Sequence, residues 1–376
     1  MRPSAWLTLL GPSCTPTDGD TDTVCDTLLF ADTDNDGFGD LGTSTLGCEG
    51  DPGWAPHSGD CDDEDSAVHP DANETCNGID DNCDGATDEG CVSICGDGLL
   101  EGYETCEEDD NAACPGLCSS FCRCPSLPPS DLELHMIDVG QGDSQLVVSP
   151  DGFTLLVDAG NSGDERAVNA YLEQQGIPAL DLVLASHLHE DHLGGLPGVL
   201  DEHPEAAVCY DHGGRYSSSY TTAWRDEADH KLLTLAEGDT LDLGSSMTVE
   251  VLHGHEQADN ENLNSLVLKL TYGDTTMLLG GDCESDGCES DFDPGPIDVY
   301  KVHHHGSSDS SGTQLLDQME PTLALIPVGL GNSYGHPDQG TLRRLENAGA
   351  EILRTDQDGD LRVWSDGVGV GWETGR

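Results

Sequence analysis

The chain has 376 residues and carries 74 acidic against 13 basic side chains, a net charge of −61. That length accommodates two domains, and so large a negative surplus excludes a basic nucleic-acid groove and a polybasic membrane anchor. The surplus is no tail: residues 1–130 hold 29 acidic and 2 basic side chains, and residues 131–376 hold 45 and 11. Unpaired carboxylates at this density fit a saline exterior or bound divalent cations.

In chain order, the opening "MRPSAWLTLLGPSC" resembles a short lipoprotein leader. Residues 1–24 are therefore expected to be a signal-like segment and linker, with Cys14 as a lipid-bearing anchor. Thirteen of the 16 cysteines fall within residues 14–124, and twelve of them lie in residues 25–124. With few large apolar side chains to build a core, residues 25–124 read as a disulfide-stapled exported module. Zinc would require paired C-x-x-C knuckles at both ends, which are missing. No apolar run approaches the ~20 residues of a membrane-spanning helix.

Within that module "DTDNDGFGD" places Asp32, Asp34 and Asp36 at alternate positions before Gly37, with Asp40 following. Oxygen ligands folded around a glycine turn are what a calcium ion requires. Asp80, Asn82, Asp84 and Asp88 form a similar arrangement around Gly85. Residues 59–91 resemble the metal-binding repeat of secreted bacterial proteins, through Asp60-Cys61-Asp62-Asp63, His69-Pro70, Glu74, Cys76, Asp81, Cys83-Asp84-Gly85 and Asp88-Glu89. Residues 95–124 resemble a second secreted cysteine-rich repeat. A calcium-rigidified spacer or adhesive module is expected, followed by a proline-rich linker over 125–131.

From residue 132 the texture changes. "LELHMID", "SQLVVSP" and "FTLLVDAG" read as strands, "ERAVNAYLEQQG" as a helix ending at Gly176, and "LDLVLAS" as a buried strand. "ASHLHEDHLGG" (185–195) then sits on the loop leaving that strand, just before a helix. Three histidines and an aspartate within six residues, ahead of Gly194-Gly195, call for metal. His187 and His189 suit one cation, and Asp191 with His192 a second.

This H-x-H-x-D-H pattern resembles the metallo-β-lactamase superfamily. "IDVGQGDS", "LLVDAGNS", "NLNSLVLKLTYGDTTMLLGGD", "KVHHHGSS", "NSYGHP" and "RTDQDGDLRV" follow in the order of the hydrolase domain of ComEC/Rec2-type competence proteins. The resemblance implies a four-layered αβ/βα sandwich over residues 132–376. It also implies His187, His189, Asp191, His192 and Asp282 as metal ligands, with Asp282 bridging and Asp191 and Asp282 catalytic. His336 becomes a late ligand, and His304 or His305 a ligand or proton donor. Asp158 would orient the histidines.

Asn264 and Ser265 stand where the wider superfamily places a histidine. His253 or His255 could substitute, and an oxygen-rich set would shift preference from zinc towards manganese. Lys301, Ser307 and Ser308 would receive a phosphate oxygen. Two such cations, about 3.5–4 Å apart, share a water and make hydroxide available at neutral pH.

The expected function is an exported phosphodiesterase or nuclease acting on single-stranded nucleic acid. A hydrolase of small esters, lactones or nucleotides is the alternative, and a calcium-dependent adhesin on an inactive hydrolase frame the second. A Cys283–Cys288 disulfide would stiffen the Asp282 loop, leaving Cys209 unpaired.

Overall fold

The computed structural model describes residues 27–48, 50–72, 81–83, 106, 114, 117–119, 123–128, 130–204, 206, 208–254 and 258–376. Two compact units divide the chain, residues 1–92 and 93–376. Cys14, Asp80, Asp84, Asp88 and His255 lie outside the described residues.

In the first unit, β1 (Thr27–Ala31) pairs antiparallel with β2 (Asp40–Gly47) and β3 (Trp54–Ala55). Leu29 is its fully buried apolar anchor. The loop between β1 and β2 is fastened to the following segment. Asp63 accepts from the Thr33 amide at 3.1 Å and the Thr33 hydroxyl at 2.7 Å, and Phe38 stacks on His69 with centroids 5.2 Å apart. A Cys61–Cys83 disulfide staples the segment, and Cys48 is also disulfide-bonded.

The second unit is built on two large sheets. The first contains β4 (Leu132–Met136), β5 (Gln145–Val148), β6 (Thr154–Val157), β7 (Leu182–Leu184), β8 (Val208–Asp211) and β9 (Leu232–Thr234). The second contains β10 (Thr240–Leu241), β11 (Thr248–His253), β12 (Val267–Tyr272), β13 (Thr275–Leu279), β14 (Val299–Lys301), β15 (Leu323–Ile326) and β16 (Glu351–Arg354). The chain then returns to the first sheet as β17 (Leu361–Ser365) and β18 (Val370–Thr374). The orders are β18-β17-β4-β5-β6-β7-β8-β9 and β10-β11-β12-β13-β14-β15-β16. In each sheet an antiparallel half gives way to a parallel one, at β6 and at β13.

Alternation within the strands fixes the layers. Leu155 and Val157 face the second sheet, joining Leu268, Leu270, Met277 and Leu279 in one buried core. Leu156, between them, faces outward with Leu146, Val148 and Val183. Over it pack α1 (Glu165–Gln175), α3 (Leu196–Glu202) and α4 (Ser219–Ala228) through Val168, Leu172, Val199 and Trp224. On the far side α5 (Thr313–Met319) and α6 (Gln339–Ala348) cover Tyr300, Ala324 and Ile326. The result is the expected four-layered αβ/βα sandwich.

Helix α1 presents Val168, Tyr171 and Leu172 on one face and stops at Gly176, whose φ of 71° closes the last turn. The four disulfides whose two cysteines are both described include Cys106–Cys118, Cys114–Cys124 and Cys283–Cys288, while Cys209 is buried and free. Such bridges fit an oxidising compartment. The proline-rich stretch at 125–131 lies along this unit: the Leu127 and Ser130 amides donate to the carbonyls of Gly152 and Pro150, and the Ser126 hydroxyl to Asp181.

The histidine-rich segment departs from the expected loop in one respect. A short helix, α2 (Glu190–Leu193), begins inside it and carries both Asp191 and His192. Gly194 and Gly195 follow because the backbone of the 159–162 loop lies against them. A Cβ on Gly195 would meet the Ala159 carbonyl oxygen at 2.2 Å. Gly195→Ala is expected to cost about 1–3 kcal/mol through overpacking, read as a lower midpoint in urea unfolding.

Candidate metal centre

The centre lies where β6, β7, β13 and β14 end, and the segment leaving each strand delivers part of it. Asp158 follows β6. Its φ of 59° is a conformation that aspartate adopts at some cost, and it aims the carboxylate under the next loop. Asp158 accepts from the Ser186 amide (2.7 Å), the Ser186 hydroxyl (2.6 Å) and His192 Nδ1 (2.8 Å). Since His192 spends Nδ1 on Asp158, Nε2 is turned towards Asp282 Oδ1 at 3.1 Å.

Asp282 stands between two groups of nitrogens. Its Oδ1 faces His192 Nε2 and, at 3.7 Å, His305 Nε2. Its Oδ2 faces His304 Nε2 at 3.5 Å and His187 Nε2 at 4.0 Å. Ligand atoms of Asp191, His192, Asp282 and His305 all lie within 4.8 Å of one another. On the other side His187 Nε2 and His189 Nδ1 face each other at 3.0 Å.

The donor set fits metal. His192 Nε2, His305 Nε2 and Asp282 Oδ1 are buried without a hydrogen-bond partner. Their other atoms are already held: His305 Nδ1 donates to the Pro327 carbonyl at 3.0 Å. Orienting partners behind ligating nitrogens are a general feature of metal sites. His304 and His305 both have φ near 50°, so the backbone is strained where it presents two imidazoles to one cavity.

The cavity beside Asp282 has a volume of about 390 Å³, and its walls include His189, Asp191, His304, His305 and His336. His336 is half-buried, with its ring 5.6 Å from that of His304 and 6.4 Å from that of His305. The eight candidate ligands of the 187–192, 282, 304–305 and 336 segments are thus gathered at one place. Among the described residues, the twelve that line the cavity include no lysine or arginine.

Three expectations are corrected. Lys301 is fully buried, paired with Asp143 and donating to the Gly281 carbonyl, so it cannot meet a substrate. Ser307 and Ser308 shape the following turn: the Asp309 amide donates to the Ser307 hydroxyl, and the Ser308 hydroxyl donates to Asp309. His253 is no substitute ligand, because it is buried against the Cys283–Cys288 bridge and its Nδ1 donates to the Ser265 carbonyl.

Ser265 and Asn264 do act from behind. The Ser265 hydroxyl accepts from the Asp282 amide at 3.2 Å. Asn264 donates to Glu261, which in turn accepts from the Leu188 amide and from His212. Sequence reasoning missed Glu261 and His212, which lie 49 residues apart with no local pattern to join them. It also missed a role for Asp143, whose carboxylate reaches His305 Nδ1 (3.1 Å) and lies 3.7 Å from His192 Nδ1. Its one signal was a polar residue placed inside "IDVGQGDS".

In the first unit, carboxylate oxygens of Asp32, Asp34 and Asp36 lie within 4.8 Å of one another. Buried Oδ2 atoms of Asp34, Asp36 and also Asp60 lack hydrogen-bond partners. Asp40 is different: its carboxylate accepts from Gly42 and Thr43 of its own strand. Of the second loop's four candidate ligands, Asn82 alone lies among the described residues.

Two outcomes follow from this geometry. Asparagine tolerates the backbone conformation of Asp158 but carries no charge, so Asp158→Asn should weaken metal affinity about 10–100-fold, measured by competition with a chromogenic chelator. In the metal-free protein, burial disfavours the His305 imidazolium, but Asp282 and Asp143 outweigh it and push its titration up to about 10. That contribution to stability is complete below the ordinary value near 6.5 and is lost as pH rises towards 10. The Tm of metal-stripped protein should fall across that window. Added zinc should raise it most at the alkaline end, where protons no longer compete.

The metallo-beta-lactamase superfamily model matches residues 137–329, and the MopE-type metal-binding motif matches residues 60–89. ComE operon protein 3 of Bacillus subtilis (strain 168) is 30% identical over 264 residues, covering 62% of this chain and 33% of that protein. Recombination protein 2 of Haemophilus influenzae is 28% identical over 255 residues, covering 66% and 30%. A hydroxyacylglutathione hydrolase of Parasynechococcus marenigrum is 25% identical over 162 residues, covering 43% and 56%. The chain thus spans about a third of the length of the competence-type relatives it matches. With the four layers and the gathered histidine–aspartate cluster, the match over residues 137–329 places the chain in the metallo-β-lactamase superfamily of metal-dependent hydrolases.

Proposed function

We propose that this chain is an exported two-metal hydrolase that cleaves phosphodiester bonds. The carrying observation is Asp282, whose two oxygens face separate nitrogen groups, His192 with His305 and His187 with His304. His187, His189 and Asp282 would hold one cation, and Asp191, His192, His305 and Asp282 the other, as Zn²⁺ or Mn²⁺. When bound, such a pair activates water at neutral pH and neutralises charge developing on the attacked centre.

The chain's own residues supply the rest. Asp158 and Asp143 fix the imidazoles from behind, Ser265 fixes Asp282, and His304 and His336 line the cavity where a leaving oxygen could take a proton. The first unit belongs to the same reading, with Asp32, Asp34 and Asp36 holding Ca²⁺ and stiffening the module. The disulfides support export.

A second reading, hydrolysis of a small ester, thioester or lactone, is favoured by the lack of any cation in the cavity lining. Elemental analysis of the purified chain decides between these and a metal-free adhesin. The assay is cleavage of bis(p-nitrophenyl) phosphate and single-stranded DNA with Mn²⁺ or Zn²⁺. About two transition-metal ions per chain are expected, with cleavage reduced at least about 100-fold in Asp191→Ala. Two metals without phosphodiester cleavage would leave the ester reading, and no transition metal would overturn both.

A further inference from the structure

Two tyrosines border the cavity, and neither is accounted for by the metal cluster. Tyr216, on the segment between β8 and α4, is 40% exposed and meets His189 edge-on with centroids 5.2 Å apart. Tyr334, between β15 and α6, is 69% exposed and lies parallel to His336 within 8°, at 5.8 Å. Neither phenol hydroxyl hydrogen-bonds among the described residues. Each ring is held by an imidazole of the centre on one side and offered to solvent beside the cavity on the other.

Charge narrows what these rings receive. The lining contains Glu190, Asp191 and Asp282 and no lysine or arginine, and residues 131–376 carry 45 acidic against 11 basic side chains. A long nucleic-acid strand is held mainly by cations along its phosphates, and this surface would repel it. Stacking of a base on an aromatic ring needs no cation and tolerates any base.

We propose that Tyr216 and Tyr334 form a stacking platform for the nucleobase adjoining the scissile phosphodiester. The site then accepts a short or terminal nucleotide unit rather than a long tract. This rests on the phosphodiesterase reading and specifies its substrate class.

The test uses the full metal-loaded chain and two esters with the same leaving group, thymidine 5′-(p-nitrophenyl phosphate) and methyl p-nitrophenyl phosphate. The platform predicts a preference for the thymidine ester in kcat/KM, and a fall of that preference by about tenfold or more in Tyr334→Ala or Tyr216→Ala. The loss should appear in KM, and Tyr→Phe at either position should retain the preference because the ring, not the hydroxyl, is used. Equal turnover of the two esters, or a preference untouched by both alanine variants, would overturn the platform while leaving the phosphodiesterase reading standing. Cleavage of neither ester would overturn both.

Discussion

Burying several carboxylates at one point is the constraint on which this hydrolase unit turns. Asp143, Asp158 and Asp282 are each at most 2% exposed, and Asp191 stands beside them in the cavity wall. Unpaired, such charges would cost several kcal/mol apiece. Among the described residues one permanent cation reaches them, Lys301, which is itself fully buried and pairs with Asp143. The imidazoles supply the remaining compensation. Burial pulls Asp282 upward, but His192, His305 and His304 outweigh it and hold its carboxyl well below the usual range. With more carboxylate than fixed positive charge, the cluster is arranged for divalent cations.

Other local features serve that arrangement. Asp158, His304 and His305 hold positive φ angles that an ordinary strand end would not need. The glycine pair after α2 lets the ligand-bearing segment close against the 159–162 loop. Cys283–Cys288 begins one residue after Asp282 and packs against His253, the histidine that the sequence offered as a substitute ligand. The ligands sit at strand ends because two packed sheets hold those ends still.

The acidity of the chain and the lining of the cavity bear on each other. A field of −61 rules out gathering a polyanion by general attraction, so any phosphorylated substrate must be captured at short range. Metal, hydrogen bonds and ring stacking remain, and the cavity lining is composed of groups able to supply them. In the first unit the acidity includes the alternate aspartates Asp32, Asp34 and Asp36, where a hard cation rather than a substrate would neutralise it.

Much of this was legible in the residues. Alternating apolar strands, a helix with a glycine stop at Gly176, and three histidines with an aspartate in six positions are local patterns, set by the geometry of strand, helix and metal ligand. They marked the strands, α1 and the histidine segment, while the four layers and the roles of Asp282 and His336 came from the resemblance to the metallo-β-lactamase superfamily. Three things had no local pattern. Lys301 and Ser307 stand next to the histidines in the chain, yet packing turned them inward or into a turn. Asp143 and Glu261 stand far from the histidines they hold, and only the closing of two sheets brings them there. Sequence by itself thus determined which side chains could bind metal, because ligand chemistry resides in residue type and short spacing. The tertiary structure alone decided which of them face the cavity and which hold the others in place, because burial and partnership depend on what the fold brings alongside.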